Sequence, residues 1–239
     1  MPTLASRNLL PELMDAPDLG VEEHRRALAG LARLNAASRT ATQLATRVAQ
    51  AAQLNGIQPV RVLDIAAGGG DVTGGMARRL ASLGVECEVL GLDMSGTAVE
   101  RANAIATQTP NVRFQQLDVF QEPLPAGYDV VTSSLFLHHL TEDQTVELLR
   151  RCAAAAGALV ISDLIRSRLG HCLAQIACRT LSRSPIVHYD GPQSVASAYT
   201  RDEMRELLRR AGLTNAAVQR CWPERMMITW RRGDASNPR

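Results

Sequence analysis

The sequence has no lysine; all 26 of its basic side chains are arginine. That absence excludes Schiff-base chemistry, a lysine general base and the lysine of a P-loop. Aromatic residues make up only 3% of the chain, which leaves few platforms for stacking nucleic-acid bases. The five cysteines (Cys87, Cys152, Cys172, Cys178 and Cys221) are odd in number and form no C-x-x-C pair. Neither a disulfide framework nor a zinc cage is expected, and the chain is expected to be cytoplasmic. There is no 18-residue apolar run to span a membrane, and "MPTLASRNLLPEL" lacks the apolar core of a signal peptide. Neither sign of charge dominates. The net charge is +2, and mixed stretches such as Arg201, Asp202, Glu203, Arg205 and Glu206 read as solvated helix faces. Neither nucleic acid nor a membrane is expected as a partner.

What remains is an ordinary globular composition: 239 residues, 46% hydrophobic and 21% charged, enough for one large domain with an accessory cover. From Val60 onward, short runs rich in valine, isoleucine and leucine ("VRVLDI", "CEVLGLD", "VRFQQLD", "YDVVTSS", "ALVISDL") alternate with helix-like segments. Val72, Met76, Leu80 and Leu83 make one apolar helix stripe ending at Gly84. Thr141 to Gln144 and Thr200 to Glu203 have the spacing of capping boxes. The expected fold is therefore α/β, a doubly wound, mostly parallel sheet with a C-terminal antiparallel hairpin around a Pro-Glu turn. Residues 1 to 55 read as an N-terminal helical cover with Leu28, Leu31 and Leu34 on one stripe. Residues 56 to 239 read as the core. Within it, residues 166 to 199 form an insertion, part helix and part Pro/Gly loop, in which Leu169, Leu173, Ile176 and Ala177 make an apolar face.

The stretch "VLDIAAGGGDV", Val62 to Val72, puts three glycines between a strand and a helix. Such a turn lets backbone approach a ligand beside a helix N-terminus. The dinucleotide fingerprint G-x-G-x-x-G fails in every register. Gly69 to Gly74 and Gly70 to Gly75 have P-loop spacing but no lysine after them. Asp64 and Asp71 flank the loop, a poor setting for a pyrophosphate and a better one for a cationic or zwitterionic ligand.

Asp64, Ala66, Gly68 and Gly70 together resemble the D-x-G-x-G-x-G motif of class I S-adenosylmethionine-dependent methyltransferases, with alanine where the family usually has its first glycine. Later strands are similar to that family's later motifs in order. Asp93, in "LGLDMS" and 23 residues after Gly70, stands where the family binds the ribose hydroxyls. Asp118, in "QQLDVF", stands near the adenine amino group, and "YDVVTSSLFLHHL" lies across the methionine end. The resemblance implies S-adenosylmethionine as cofactor and the Rossmann-like fold. It also implies Asn35, Asp64, Ala66, Gly68, Gly70, Asp93, Met94, Asp118, Val119 and Ser134 as cofactor-binding residues. "LARLNAASR" is similar to a stretch that closes over the cofactor's amino acid end in quinone-biosynthesis members, which points to Asn35, with Arg33 or Arg39 for the carboxylate.

Methyl transfer from a sulfonium is an in-line displacement with a good leaving group, so alignment dominates, and a base helps where the acceptor is a phenol or enol. His139 and His138, just past the fourth strand, are the catalytic candidates, either of which could instead pack or cap a helix. His188 and Tyr189, in the insertion, are candidates for substrate binding. No metal is expected. The acceptor is expected to be a small molecule, aromatic or apolar, methylated on oxygen. The alternatives are carbon methylation of a quinone-type substrate, an RNA or protein acceptor, and a non-catalytic cofactor-binding protein. Monomer and homodimer are both open.

Overall fold

The computed structural model describes residues 4–16, 18–107 and 109–233. Seven strands form one sheet: β1 (Val60–Ile65), β2 (Cys87–Asp93), β3 (Val112–Gln116), β4 (Tyr128–Ser134), β5 (Ala156–Leu164), β6 (Ala217–Cys221) and β7 (Arg225–Arg231), in the order β3-β2-β1-β4-β5-β7-β6. All pairings among β1 to β5 are parallel, and only β7 runs against its neighbours β5 and β6. The five expected parallel strands and the C-terminal hairpin are all present.

The inner parallel strands β1, β4 and β5 are mostly buried on both faces because both faces are covered, whereas the edge strand β3 is largely exposed. On β1, Val60 and Val62 pack with Leu44, Val48 and Met76 from α2 (Thr40–Asn55) and α3 (Asp71–Ser82). Leu63 and Ile65 point the other way, into a cluster with Leu148 and Leu149 of α5 (Glu142–Ala155) and Met204 and Leu207 of α8 (Arg201–Arg210). Both capping boxes form: Thr141 accepts from the amide of Gln144, and Thr200 from that of Glu203. The α3 stripe is buried as far as Leu80, and Leu83 lies beyond the helix end, 40% exposed.

The N-terminal segment and the insertion are both mainly helical. Residues 4–16 form a strap with a single 3-10 turn at Leu13–Asp15, only α1 (Val21–Ala37) lies over the site, and α2 belongs to the buried core. The insertion contains no long Pro/Gly loop. It is two helices, α6 (Arg168–Leu181) and α7 (Pro185–Ser197), and α7 runs through Gly191 and Pro192. Tertiary packing overrides the local helix breakers here. A Cβ on Gly191 would lie 2.2 Å from Cys178 Sγ, so glycine is what lets α7 close on α6. Asp190 then accepts the amides of Leu13 and Met14 at 2.9 and 3.0 Å, tying the strap down.

Candidate functional site

The order of the sheet reverses at β1, which has β2 on one side and β4 on the other. Open α/β sheets bind ligands outside the carboxyl ends of strands at such a switch point. There a cavity of about 1130 Å³ lies between the strand ends and a roof of strap, α1, α6 and α7. It exceeds the roughly 300–1,000 Å³ of common ligand pockets, which leaves room for two molecules side by side.

The loop after β1 is held in an unusual conformation. Ala66 (φ 55°), Gly68 (φ 55°) and Gly70 (φ 77°) all lie in the left-handed region. For alanine that costs about 1–2 kcal/mol. Leu135 (φ 58°), at the end of the neighbouring strand β4, shares the strain, and both Ala66 and Leu135 line the cavity. Strained backbone of this kind concentrates at ligand sites. The amide of Gly68 donates to Asp93 Oδ2 at 2.8 Å, while Asp93 Oδ1 accepts from Ser95 N at 2.9 Å. Asp118 Oδ1 is oriented in the same way by the amide of Phe120, at 2.9 Å.

Eight of the ten residues expected around the cofactor line this one cavity: Asn35, Ala66, Gly68, Asp93, Met94, Asp118, Val119 and Ser134. Asp64 and Gly70 do not. Asp64 is only 1% exposed and accepts from Thr73 Oγ1 at 2.5 Å and Thr132 Oγ1 at 2.7 Å, with burial raising its pKa. It ties β1 to α3 and β4 beneath the loop. Gly70 caps α3, and a Cβ there would lie 2.7 Å from Phe114 Cζ. It is required for packing, and Gly69 lines the cavity in its stead.

Near Asp71 the wall holds two buried polar atoms without partners. Asn35 Nδ2 donates to Asp71 Oδ2 at 3.1 Å, leaving Asn35 Oδ1 unsatisfied. Arg225, 6% exposed on β7, donates through Nη1 to Thr40 Oγ1, and its Nε has no partner. Burial lowers its pKa to about 10, against the attraction of Asp163, Cys221 and Asp71. A buried acceptor and a buried donor without partners, on residues of one cavity wall, have the chemistry to take the ammonium and carboxylate of an α-amino acid. The arginines expected there lie elsewhere. Arg33 Nε donates to Leu181 O at 2.5 Å, Arg39 caps α2 with φ 55°, and neither lines the cavity. Arg225 escapes a reading of the sequence because it reaches the loop only through the pairing of β7 with β5. Its one local signal is its place just after the Pro-Glu turn.

At another part of the wall His138 and His139 follow β4 in a 3-10 turn. His138 is buried. Its Nδ1 lies 2.7 Å from Asp163 Oδ1, and its Nε2 lies 3.6 Å from Oε1 of Glu12 on the strap. The two carboxylates outweigh burial and raise its pKa to about 10. His139 Nε2 lies 3.9 Å from Glu12 Oε2, and its ring packs on His138 and Phe136. Ser194 on α7 donates to Glu12 Oε1. Arg7 fastens the strap, donating to the carbonyls of His138 and Leu140 at 2.8 and 2.6 Å and stacking 3.8 Å over Tyr199.

Residues 62–156 match a family described as a methyltransferase domain. An uncharacterised methyltransferase of Mycobacterium bovis is 27% identical over 71% of this chain and 86% of its own length. A ubiquinone biosynthesis O-methyltransferase of Albidiferax ferrireducens is 34% identical over 51% of this chain, which spans about half (49%) of that protein. Among solved structures, the plantazolicin methyltransferase BpumL in complex with a monoazolic desmethylPZN analog and SAH superposes with a TM-score of 0.65 at 17% identity, over 82% of this chain and 73% of that one. At that identity it shows the fold alone. These likenesses, with the matched domain covering less than half of the chain, support a class I S-adenosylmethionine-dependent methyltransferase.

In this methyltransferase the insertion contributes Leu173, Ile176 and Ala177 to the cavity, whereas Leu169 is 55% exposed and stands outside it. His188 and Tyr189, expected at the substrate, do not line this cavity. His188 Nε2 is 2.8 Å from Ser182 O and Tyr189 is 55% exposed, both beside a separate surface pocket of about 250 Å³. Helical geometry is the reason. With α7 helical, the face bearing Val187, Ser194 and Val195 is buried, and positions 188 and 189 turn away from it. No helix among the described residues is long and apolar enough to cross a membrane.

Proposed function

We propose that this methyltransferase acts on an acidic oxygen of a small, largely apolar acceptor such as a phenol, quinol or enol. The observation that carries this reading is the continuity of one cavity from the glycine loop to the cluster of Glu12, His138 and His139. When bound, S-adenosylmethionine supplies a methyl group on a sulfonium. Asp93, oriented by the amides of Gly68 and Ser95, accepts the ribose hydroxyls. Asp118 and Val119 flank the adenine, Met94 covers it, and Ala66 and Ser134 border the methionine chain. Asn35 Oδ1 takes the ammonium and Arg225 Nε the carboxylate.

The acceptor's half of the cavity is walled by Leu173, Ile176 and Ala177 of α6 and by Leu31 and Leu34 of α1. These apolar walls exclude water and hold the ring of the acceptor. The strap and α1 act as the cover, and α6 and α7 as the acceptor wall. The acceptor's hydroxyl sits beside the imidazole and carboxylate cluster, which favours its ionised form. That a relative sharing 34% identity is an O-methyltransferase supports oxygen as the acceptor atom.

A mass-spectrometric screen of phenols, quinols and enols with S-adenosylmethionine tests the proposal. Turnover of a member of this class is expected, with kcat reduced about 100-fold in His139→Ala. Transfer only to carbon, RNA or protein acceptors would replace the reading, and unchanged turnover by His139→Ala at every pH would remove the histidines from the chemistry.

A further inference from the structure

We infer that Glu12, His138 and His139 form a binding site for one divalent transition-metal ion of the zinc type, which holds the acceptor's oxygen. The inference deepens the proposed oxygen methylation and rests on that reading. The donor atoms of the three side chains all lie within 4.8 Å of one another on the cavity wall. The individual separations of 3.6 and 3.9 Å are a little wider than the roughly 3.3 Å spanned by two ligands about 2 Å from a tetrahedral ion. Small side-chain rotations close that gap. Two imidazoles and one carboxylate suit a borderline ion such as Zn²⁺ rather than Mg²⁺ or Ca²⁺, which prefer all-oxygen sites. Three protein ligands leave a position open for the acceptor.

The surroundings are those of ligands held in place. His138 Nδ1 is engaged by Asp163 at 2.7 Å, and the backbone amide of His138 donates to the other oxygen of Asp163 at 3.2 Å. This fixes the ring with Nε2 toward Glu12, the carboxylate-imidazole-metal arrangement in which an outer carboxylate orients the ligand. Glu12 in turn accepts from Ser194, so His138 and Glu12 each have an outer partner. Glu12 comes from the strap, so the site exists only when the strap is in place.

An ion here would acidify the acceptor's hydroxyl and orient it for in-line attack. The O–H bond breaks with the proton passing to water. The oxygen's electron pair forms the new bond to the methyl carbon, and the pair of the broken carbon–sulfur bond stays on sulfur as a neutral thioether. Acceptors with two adjacent oxygens, such as catechols or α-keto enols, are the favoured class, because a zinc-type ion that expands to five ligands takes both oxygens.

The test uses the full chain without an affinity tag, stripped with a chelator and titrated with Co²⁺ and Zn²⁺ by visible absorption and calorimetry. The expected result is one equivalent bound with cobalt ligand-field bands and no thiolate charge-transfer band. Affinity should fall at least tenfold in Glu12→Gln and in His139→Ala, and about tenfold in Ser194→Ala, which removes only an outer partner. A thiolate band, or equal binding by wild type and all three variants, would overturn the site. Titration of the same wild-type preparation with S-adenosylmethionine separates the two readings. Cofactor binding without metal binding sinks the ion alone, and binding of neither sinks both.

Discussion

The amide of Gly68 donates to Asp93 Oδ2 at 2.8 Å, so the residue at the end of β2 both shapes the loop after β1 and lines the cavity. Asp93→Ala should therefore lose more than two ribose hydrogen bonds. Calorimetry should show at least a 100-fold weaker affinity for S-adenosylmethionine, with the far-ultraviolet circular dichroism unchanged. Unaltered affinity would remove Asp93 from the site.

Ala66 is strained at φ 55°. Replacing it with glycine relieves about 1–2 kcal/mol in the folded chain and gives back roughly 0.5–1 kcal/mol through the freer unfolded chain. Ala66→Gly should raise Tm by about 2 °C and change cofactor affinity less than tenfold, under about 1.4 kcal/mol. A fall in Tm would mean that the alanine methyl contributes packing that outweighs its strain.

Arg225→Met tests the amino acid end. Affinity for S-adenosylmethionine should drop at least tenfold, while affinity for 5′-methylthioadenosine, which lacks the amino acid, stays constant. Equal losses for both ligands would make Arg225 a purely structural cation balancing Asp163 and Asp71.

The pair His138 and Asp163 sets a pH dependence. His138 is raised from 6.5 to about 10, so its stabilisation is complete below pH 6.5 and is lost as pH rises through about 10. Asp163 is held below its ordinary 3.8 by His138, so its part is present above that pH and is lost on further acidification. In chelator-treated protein, the Tm gap between wild type and His138→Gln should be widest near pH 5 to 6.5 and narrow toward pH 10. A gap constant across that range would mean that His138 packs as a neutral ring.

Tyr189→Ala, outside the cavity, should leave KM for the acceptor within twofold in steady-state assays. A tenfold rise would bring α7's outer face back into substrate binding.

Much of the fold could be read along the chain because its signals are local. Strand runs, the α3 stripe and both capping boxes depend on residues a few positions apart, and all appear where their spacing places them. The four cofactor motifs were legible for the same reason, each being a strand end. Their division of labour was not. Asp64 and Gly70 belong to the motif but serve packing beneath the loop, because a strand-end residue faces either the ligand or the sheet according to neighbours distant in sequence. Glu12 and Arg225 carry no motif at all. One is drawn to His138 by a strap that Arg7 and Asp190 pin down, and the other reaches the glycine loop through the antiparallel pairing of β7 with β5.

By itself, then, the sequence determined the layered parallel sheet, the cofactor class and the place of the histidine pair, since periodicity and strand-end chemistry act over short separations. Only the tertiary structure decided which polar groups of the cavity wall are buried and left unpaired, because burial and pairing are set by contacts between segments distant in sequence, from 25 residues apart for His138 and Asp163 to 185 for Thr40 and Arg225.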